Sequence, residues 1–163
     1  MIISAAHKYS QDTNKLYEVF TDANFYQEKF SGVGAKNVQI LDASDADEKF
    51  SITTQRDVPA DVPGLLKKFL GEWNTIKQTE VWQSYGDNEF GSEISIEAAG
   101  VPVKIGGSML LRPEGDGCVN DIELEIECSV PFVGKSLAEF VAADSKKSLE
   151  QEYQFIVSYL RGE

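Results

Sequence analysis

Three ionisable side chains stand in positions that the local pattern assigns to apolar neighbours. Arg56 shares the strand phase of Phe50 and Ile52, and Glu80 shares that of Ile76 and Trp82. Glu152 falls inside the apolar arc of a C-terminal helical segment, together with Ser145 and Ser148. A charge turned inward must be paired, hydrated or neutralised, because an isolated buried charge is costly. If Arg56 and Glu80 both point inward, a charge-assisted pair is the least costly arrangement. In a cavity, Arg56 would hold a ligand carboxylate while Glu80 orients it or acts as a base. The competing reading is a structural ion pair at a sheet end, or an outward phase set by a bulge. Arg56, Glu80 and Glu152 are thus candidates for the polar part of a mostly apolar cavity. If Glu152 faces water there, Glu152→Leu should be tolerated.

Other chemistry is thinly supplied. His7, the one histidine, titrates near neutrality and could serve as a base. No nucleophile lies near it in sequence, and a structural role on a strand is the alternative. The chain has no G-x-S-x-G elbow and no glycine-rich phosphate loop. Asp42, Asp45, Asp47 and Glu48 lack the central glycine and distal glutamate of an EF-hand, so they read as a solvated turn. Without a C-x-x-C, no metal site and no cofactor are expected. Cys118 and Cys128 fall on one strand, roughly 33 Å apart at ~3.3 Å per residue, which excludes a bridge between them.

The elements that must position these groups follow from periodicity. Residues 2–9 read as a first strand. A short helix then runs to Phe20 behind the caps Ser10 and Asp12, with Leu16, Tyr17, Val19 and Phe20 apolar. A second begins at Thr21-Asp22, carries Phe25, Tyr26 and Phe30, and ends at Gly32 and Gly34. From residue 36 the period is two. Val38 and Ile40 mark one strand, and residues 42–48 a charged turn. Next come the strand of Phe50 to Arg56, residues 74–84, and the strand of Phe90 to Ala98. Val103 to Leu111 follow, then a Gly115-Asp116-Gly117 hairpin into the last strand. There Cys118, Asn120, Ile122, Leu124, Ile126 and Cys128 face one way, and Asp121, Glu123, Glu125 and Glu127 the other. A one-residue slip would bury that acid row, so the register is well fixed in an antiparallel meander. Gly106-Gly107 reads as a bulge that curves the sheet. Pro63 and Gly71 frame a two-turn helix with Leu65, Leu66, Phe69 and Leu70 apolar, packed over an edge or mouth of the sheet.

The turn Pro131-Phe132-Val133-Gly134 leads into one long helix, with Ser136 and Glu139 spaced as a capping box. About 25 residues would span roughly 37 Å. Val141, Leu149, Tyr153, Ile156 and Leu160 gather on one side; Glu139, Lys146, Lys147, Glu150, Gln154 and Arg161 gather on the other. The inward residues of its middle, Ser145, Ser148 and Glu152, suggest a pocket, or else a bend that leaves them at a wet edge. Phe69, Trp82, Phe90, Met109 and Tyr153 would supply apolar contacts to a ligand there, or an ordinary filled core.

The order is one α+β domain over 1–163: a strand, two short helices, six antiparallel strands with one helical insertion, and a long helix. Its local carriers are Tyr17-Glu18-Val19-Phe20-Thr21-Asp22 with Phe25, Arg56-Asp57-Val58-Pro59-Ala60-Asp61-Val62-Pro63, Glu80-Val81-Trp82, and Val130-Pro131-Phe132-Val133-Gly134-Lys135. This set resembles the START-like superfamily, the helix-grip fold of birch pollen allergen, lipid-transfer START domains and polyketide cyclases. Within it, the chain looks most like an uncharacterised bacterial family with no assigned activity. The resemblance implies a strongly curved sheet of about seven strands wrapped around the C-terminal helix, with a cavity between them.

A net charge of −12, from 27 acids against 15 bases, makes nucleic acid and anionic membranes poor partners. No apolar run reaches the ~20 residues of a membrane span, and Met1 to Ala6 lack a signal-peptide pattern; the cytoplasm is the expected location. Three readings follow on this fold. The first is binding or transport of a small apolar or amphipathic molecule, lipid-like or polyketide-like. The second is a cyclase or hydrolase using Arg56 and Glu80. The third is a co-chaperone-like interaction module with a vestigial cavity and an acidic outer face.

Overall fold

The computed structural model describes residues 1–60 and 62–163; Asp61, in the third stretch that carries the resemblance, lies outside the described residues. Strand β1 (Ile2–Tyr9) is followed by helices α1 (Thr13–Phe20) and α2 (Ala23–Gly32). Six strands come next: β2 (Lys36–Ala46), β3 (Lys49–Pro59), β4 (Trp73–Gly86), β5 (Glu89–Ala98), β6 (Val103–Glu114) and β7 (Gly117–Cys128). Helix α3 (Gly134–Leu160) closes the chain. The strands form one seven-stranded sheet in the order β1-β7-β6-β5-β4-β3-β2, antiparallel throughout. This is the α+β arrangement expected, with two short helices after the first strand.

Local chemistry accounts for most boundaries. Asp12 caps α1 by accepting from the Lys15 amide, and Asp22 caps α2 by accepting from the Asn24 amide, which satisfies donors that a helix start leaves free. The hairpin pairs Asp47-Glu48 and Asp87-Asn88 all adopt positive φ, the left-handed geometry that matches the twist of tight hairpins and that Asp and Asn tolerate best. On β7 the expected phase holds: Cys118, Asn120, Ile122, Leu124 and Ile126 are buried, while Glu123, Glu125 and Glu127 are exposed.

Four expectations are corrected. The charged stretch from Asp42 is not a turn; β2 runs on to Ala46, paired with β3, and only Asp47 and Glu48 turn. The two-turn helix reduces to a single 3-10 turn at Gly64–Leu66, because a segment this short, with prolines near it, cannot sustain α-helical nucleation. Gly106-Gly107 is not a bulge, since β6 keeps its register with both neighbours through it; a Cβ at Gly107 would collide with the Glu123 carbonyl oxygen, so this glycine allows close backbone approach. Ser136 does not cap α3, which starts two residues earlier behind Val133 and has no side-chain cap.

Two apolar cores divide the interior. One gathers Phe20, Phe25, Tyr26, Phe30, Trp82 and Ile156, joining α1, α2 and the C-terminal half of α3 to the sheet. The other gathers Ile3, Leu66, Leu70, Leu124, Ile126 and Leu137 around the N-terminal half of α3. The fully buried residues of α3 are Leu137, Ala142 and Ile156, so from Ala143 to Phe155 the helix has none. Both ends of α3 are anchored by buried residues, whereas its middle contributes only partly buried ones such as Leu149 and Tyr153. Among the described residues, no helix is long and apolar enough to cross a membrane.

Candidate functional site: a cavity between the sheet and the C-terminal helix

The partly buried middle of α3 borders a cavity of about 340 Å³ that the two cores leave between helix and sheet. Strand alternation supplies one wall, since the even-numbered residues of β4 from Asn74 to Trp82 turn inward. The i, i+3/i+4 face of α3 supplies the other, through Ser145, Ser148, Glu152 and Tyr153.

A hydrogen-bonded chain runs along the strand wall. Arg56 Nη2 donates to Gln78 Oε1 at 3.0 Å, and Gln78 Nε2 donates to Glu80 Oε2 at 2.7 Å. Trp82 Nε1 donates to Glu80 Oε1 at 3.0 Å. The Tyr26 hydroxyl lies within hydrogen-bonding distance of the same oxygen, at 3.1 Å, and of the Phe20 carbonyl, at 2.8 Å. The inward Arg56 and Glu80 therefore do not pair directly; Gln78 spans them. The Arg56 guanidinium also lies 3.8 Å over the Phe30 ring, a cation–π contact strengthened by burial. Burial pulls the Arg56 pKa below its ordinary value, against the attraction of Glu152 and Glu80.

Glu152 is held from a direction that periodicity along α3 does not reveal. Lys29 Nζ sits 3.0 Å from Glu152 Oε1, with side-chain exposures of 8% and 20%, and lies over the Phe30 ring at 4.6 Å. This ion pair ties α2 to α3 beside Arg56. Beside Glu152 on α3, Tyr153 stacks on His7 of β1 at 4.3 Å between centroids, and the Tyr153 hydroxyl donates to the Lys8 carbonyl at 2.7 Å. Burial lowers the His7 pKa, outweighing the pull of Glu150 and Glu152. Asn120, from β7, reaches only the Met109 sulfur through its amide nitrogen, at 3.6 Å.

Of the residues proposed from sequence, Arg56, Glu80, Trp82, Met109, Ser145, Glu152 and Tyr153 line the cavity. Phe69 and Phe90 do not. Phe69 packs against the core around Leu66 and Leu70, with Leu70 reaching the wall instead. Phe90 stacks on Tyr17 at 4.1 Å, because α1 covers that end of β5. Sequence reasoning missed Lys29, Gln78 and Tyr9 as wall residues. Lys29 had a readable signal: it lies three and four residues beyond Tyr26 and Phe25, on the apolar face of α2. Lys147, assigned to the outer side of α3, also reaches the cavity's edge. Among the described residues, no three His, Cys, Asp or Glu side chains converge to hold a metal ion.

A seven-stranded antiparallel meander with one long helix lying over it across a cavity is the helix-grip fold, and the similar solved structures share that fold. Residues 4–160 match the family described as a protein of unknown function (DUF2505), and the chain belongs to that family. The protein TTHA0849 from Thermus thermophilus is similar at 12% identity and TM-score 0.65, over 98% of this chain and 99% of that one. A STAR-related lipid transfer protein fragment from Xanthomonas axonopodis is similar at 15% identity and TM-score 0.59, over 94% and 85% of the two chains. A Thalictrum norcoclaurine synthase point mutant, solved with a transition-state analogue, gives 11% and 0.59, over 99% and 96%. At such identities the likeness is one of fold. No curated protein matches the sequence.

Proposed function

We propose that this protein binds a small amphipathic molecule in the cavity between its sheet and α3, as a carrier or sensor in the cytoplasm. The observation that carries the reading is the middle of α3, thirteen consecutive residues without a fully buried side chain, set over a cavity of about 340 Å³. A helix that only completed a core would bury Leu or Ala at Ser145, Ser148 and Glu152. Pockets of about 300–1,000 Å³ suit drug-sized ligands, so the space fits one compact molecule better than a two-chain lipid. The lipid-transfer neighbour supports binding as a use of this fold, although fold alone does not assign function. Two unbridged cysteines suit a reducing compartment.

Binding is favoured over catalysis because the two cavity carboxylates nearest Arg56 are already engaged. Glu80 accepts from Gln78 and Trp82, and Glu152 is paired with Lys29; neither stands free to take a proton from a substrate. A formed cavity likewise argues against the interaction module in which it is vestigial. The test is a thermal-shift screen against a library of lipids and aromatic metabolites. A ligand saturating the site at 100 Kd should stabilise the protein by about 2.7 kcal/mol. Unchanged melting across the library would count against the reading.

A further inference from the structure

Three polar side-chain atoms buried at the cavity have no hydrogen-bond partner among the described residues: Arg56 Nη1, Tyr9 Oη and Asn120 Oδ1. All three residues line the cavity, and their exposures are only 9%, 6% and 2%. Buried polar groups are normally satisfied, so three exceptions on one cavity call for an explanation. Asn120 is the sharpest case, since its nitrogen meets only a thioether, a weak acceptor. The orphans have complementary chemistry. Arg56 offers a donor, Asn120 an acceptor, and the Tyr9 hydroxyl either.

Their positions separate them into two poles. Tyr9 and Asn120 lie on adjacent strands, β1 pairing with β7 so that His7 faces Asn120 and Tyr9 faces Cys118. Those strands form one end of the sheet order, while β3, which carries Arg56, lies next to the other end. A molecule touching both poles must carry two separated polar functions.

The formal charges of the wall are already balanced. Arg56 and Lys29 stand against Glu80 and Glu152, through the Gln78 bridge and the direct 3.0 Å pair. At the edge of the cavity, burial raises the Asp144 pKa toward the neutral form against the pull of Lys147, Glu97 is exposed to solvent, and burial holds His7 toward its neutral form. A charged ligand would leave its own charge uncompensated or break an existing pair, both costly in a buried site. This argues against the carboxylate that Arg56 alone suggests.

Resting on the binding reading above, we propose that the cavity selects a neutral amphiphile with two separated oxygen functions. A carbonyl accepts from Arg56 Nη1, and a hydroxyl donates to Asn120 Oδ1 beside Tyr9. Isothermal titration of the full chain at pH 7.5 with four flexible probes of matched length tests this: 10-hydroxydecan-2-one, decan-2-one, decanoate and decylamine. The hydroxyketone should bind about 3–10-fold more tightly than decan-2-one, the range one added neutral hydrogen bond supports. Both ketones should exceed decanoate and decylamine by about tenfold or more. In Asn120→Leu the hydroxyl's advantage should vanish, while decan-2-one keeps its affinity within roughly twofold. Asn120→Ala, which removes the same acceptor with a smaller side chain, gives the same comparison if the first variant does not fold. Tightest binding by decanoate overturns the neutral-ligand proposal and leaves the binding function standing. Equal affinity for the two ketones overturns it too, because water alone would then satisfy Asn120 and Tyr9. Binding of none of the four overturns both.

Discussion

Glu80 accepts hydrogen bonds from two donors of its own strand, Gln78 and Trp82, with the Tyr26 hydroxyl also in reach. At 3% exposure it cannot be removed without stranding those donors and unbalancing Arg56. Glu80→Leu should therefore cost about 3 kcal/mol in urea unfolding, the scale of breaking a buried charged network. The inward phase of Arg56 and Glu80 was legible, because period two assigns every second residue to one face. The bridge between them was not, since sequence gives the face of Gln78 but not the reach of its amide.

His7 makes the pH dependence explicit. Burial holds its folded pKa below the ordinary 6.5, so the unfolded chain binds the proton more readily. Stability is then unaffected by His7 above pH 6.5 and falls as pH drops from 6.5 toward the folded pKa. In His7→Phe, which retains an aromatic ring against Tyr153, that part of the slope should disappear. The stability difference between variant and wild type should be flat above pH 6.5 and should shift toward the variant below it. The shift cannot exceed about 1.4 kcal/mol per pH unit. A parallel pH dependence for both proteins would contradict the assignment.

At the scale of elements, the Lys29–Glu152 pair joins α2 to α3 with both side chains largely buried. Glu152→Leu, which would be tolerated if Glu152 faced water, should instead cost about 3 kcal/mol, because Lys29 is left buried and unpaired. Lys29→Met with Glu152→Leu should recover most of that loss, and a double-mutant cycle of unfolding free energies measures the coupling. The glycine pair on β6 offers a second contrast. Gly107→Ala meets the backbone of β7 and should cost about 3 kcal/mol, whereas Gly106→Ala has room at 4.0 Å and should cost under about 1 kcal/mol. Strand phases and helix caps at Asp12 and Asp22 were readable because they depend on neighbours in sequence. The failed capping box at Ser136 and the single turn at Gly64–Leu66 were not. There the entry turn, with Phe132 at φ 68°, and the docking of Leu66 and Leu70 on the second core decide the backbone.

For the molecule as a whole, the long C-terminal helix and seven strands were legible from period and turns, and the helix-grip arrangement from resemblance. The split into two cores was only partly so. It needed the helical map of α3, where Ser145, Ser148 and Glu152 interrupt the apolar arc, and the pairing of α2 with α3 that places Lys29. The cavity is the space those two cores leave, and its occupation is the central claim. Native mass spectrometry of the protein purified from its own host tests that claim most directly, with Ser148→Trp as the variant that fills the space. The wild type should carry a discrete small-molecule mass released on denaturation, and Ser148→Trp should lack it. The bare chain mass for both proteins, from freshly purified samples, would contradict the account.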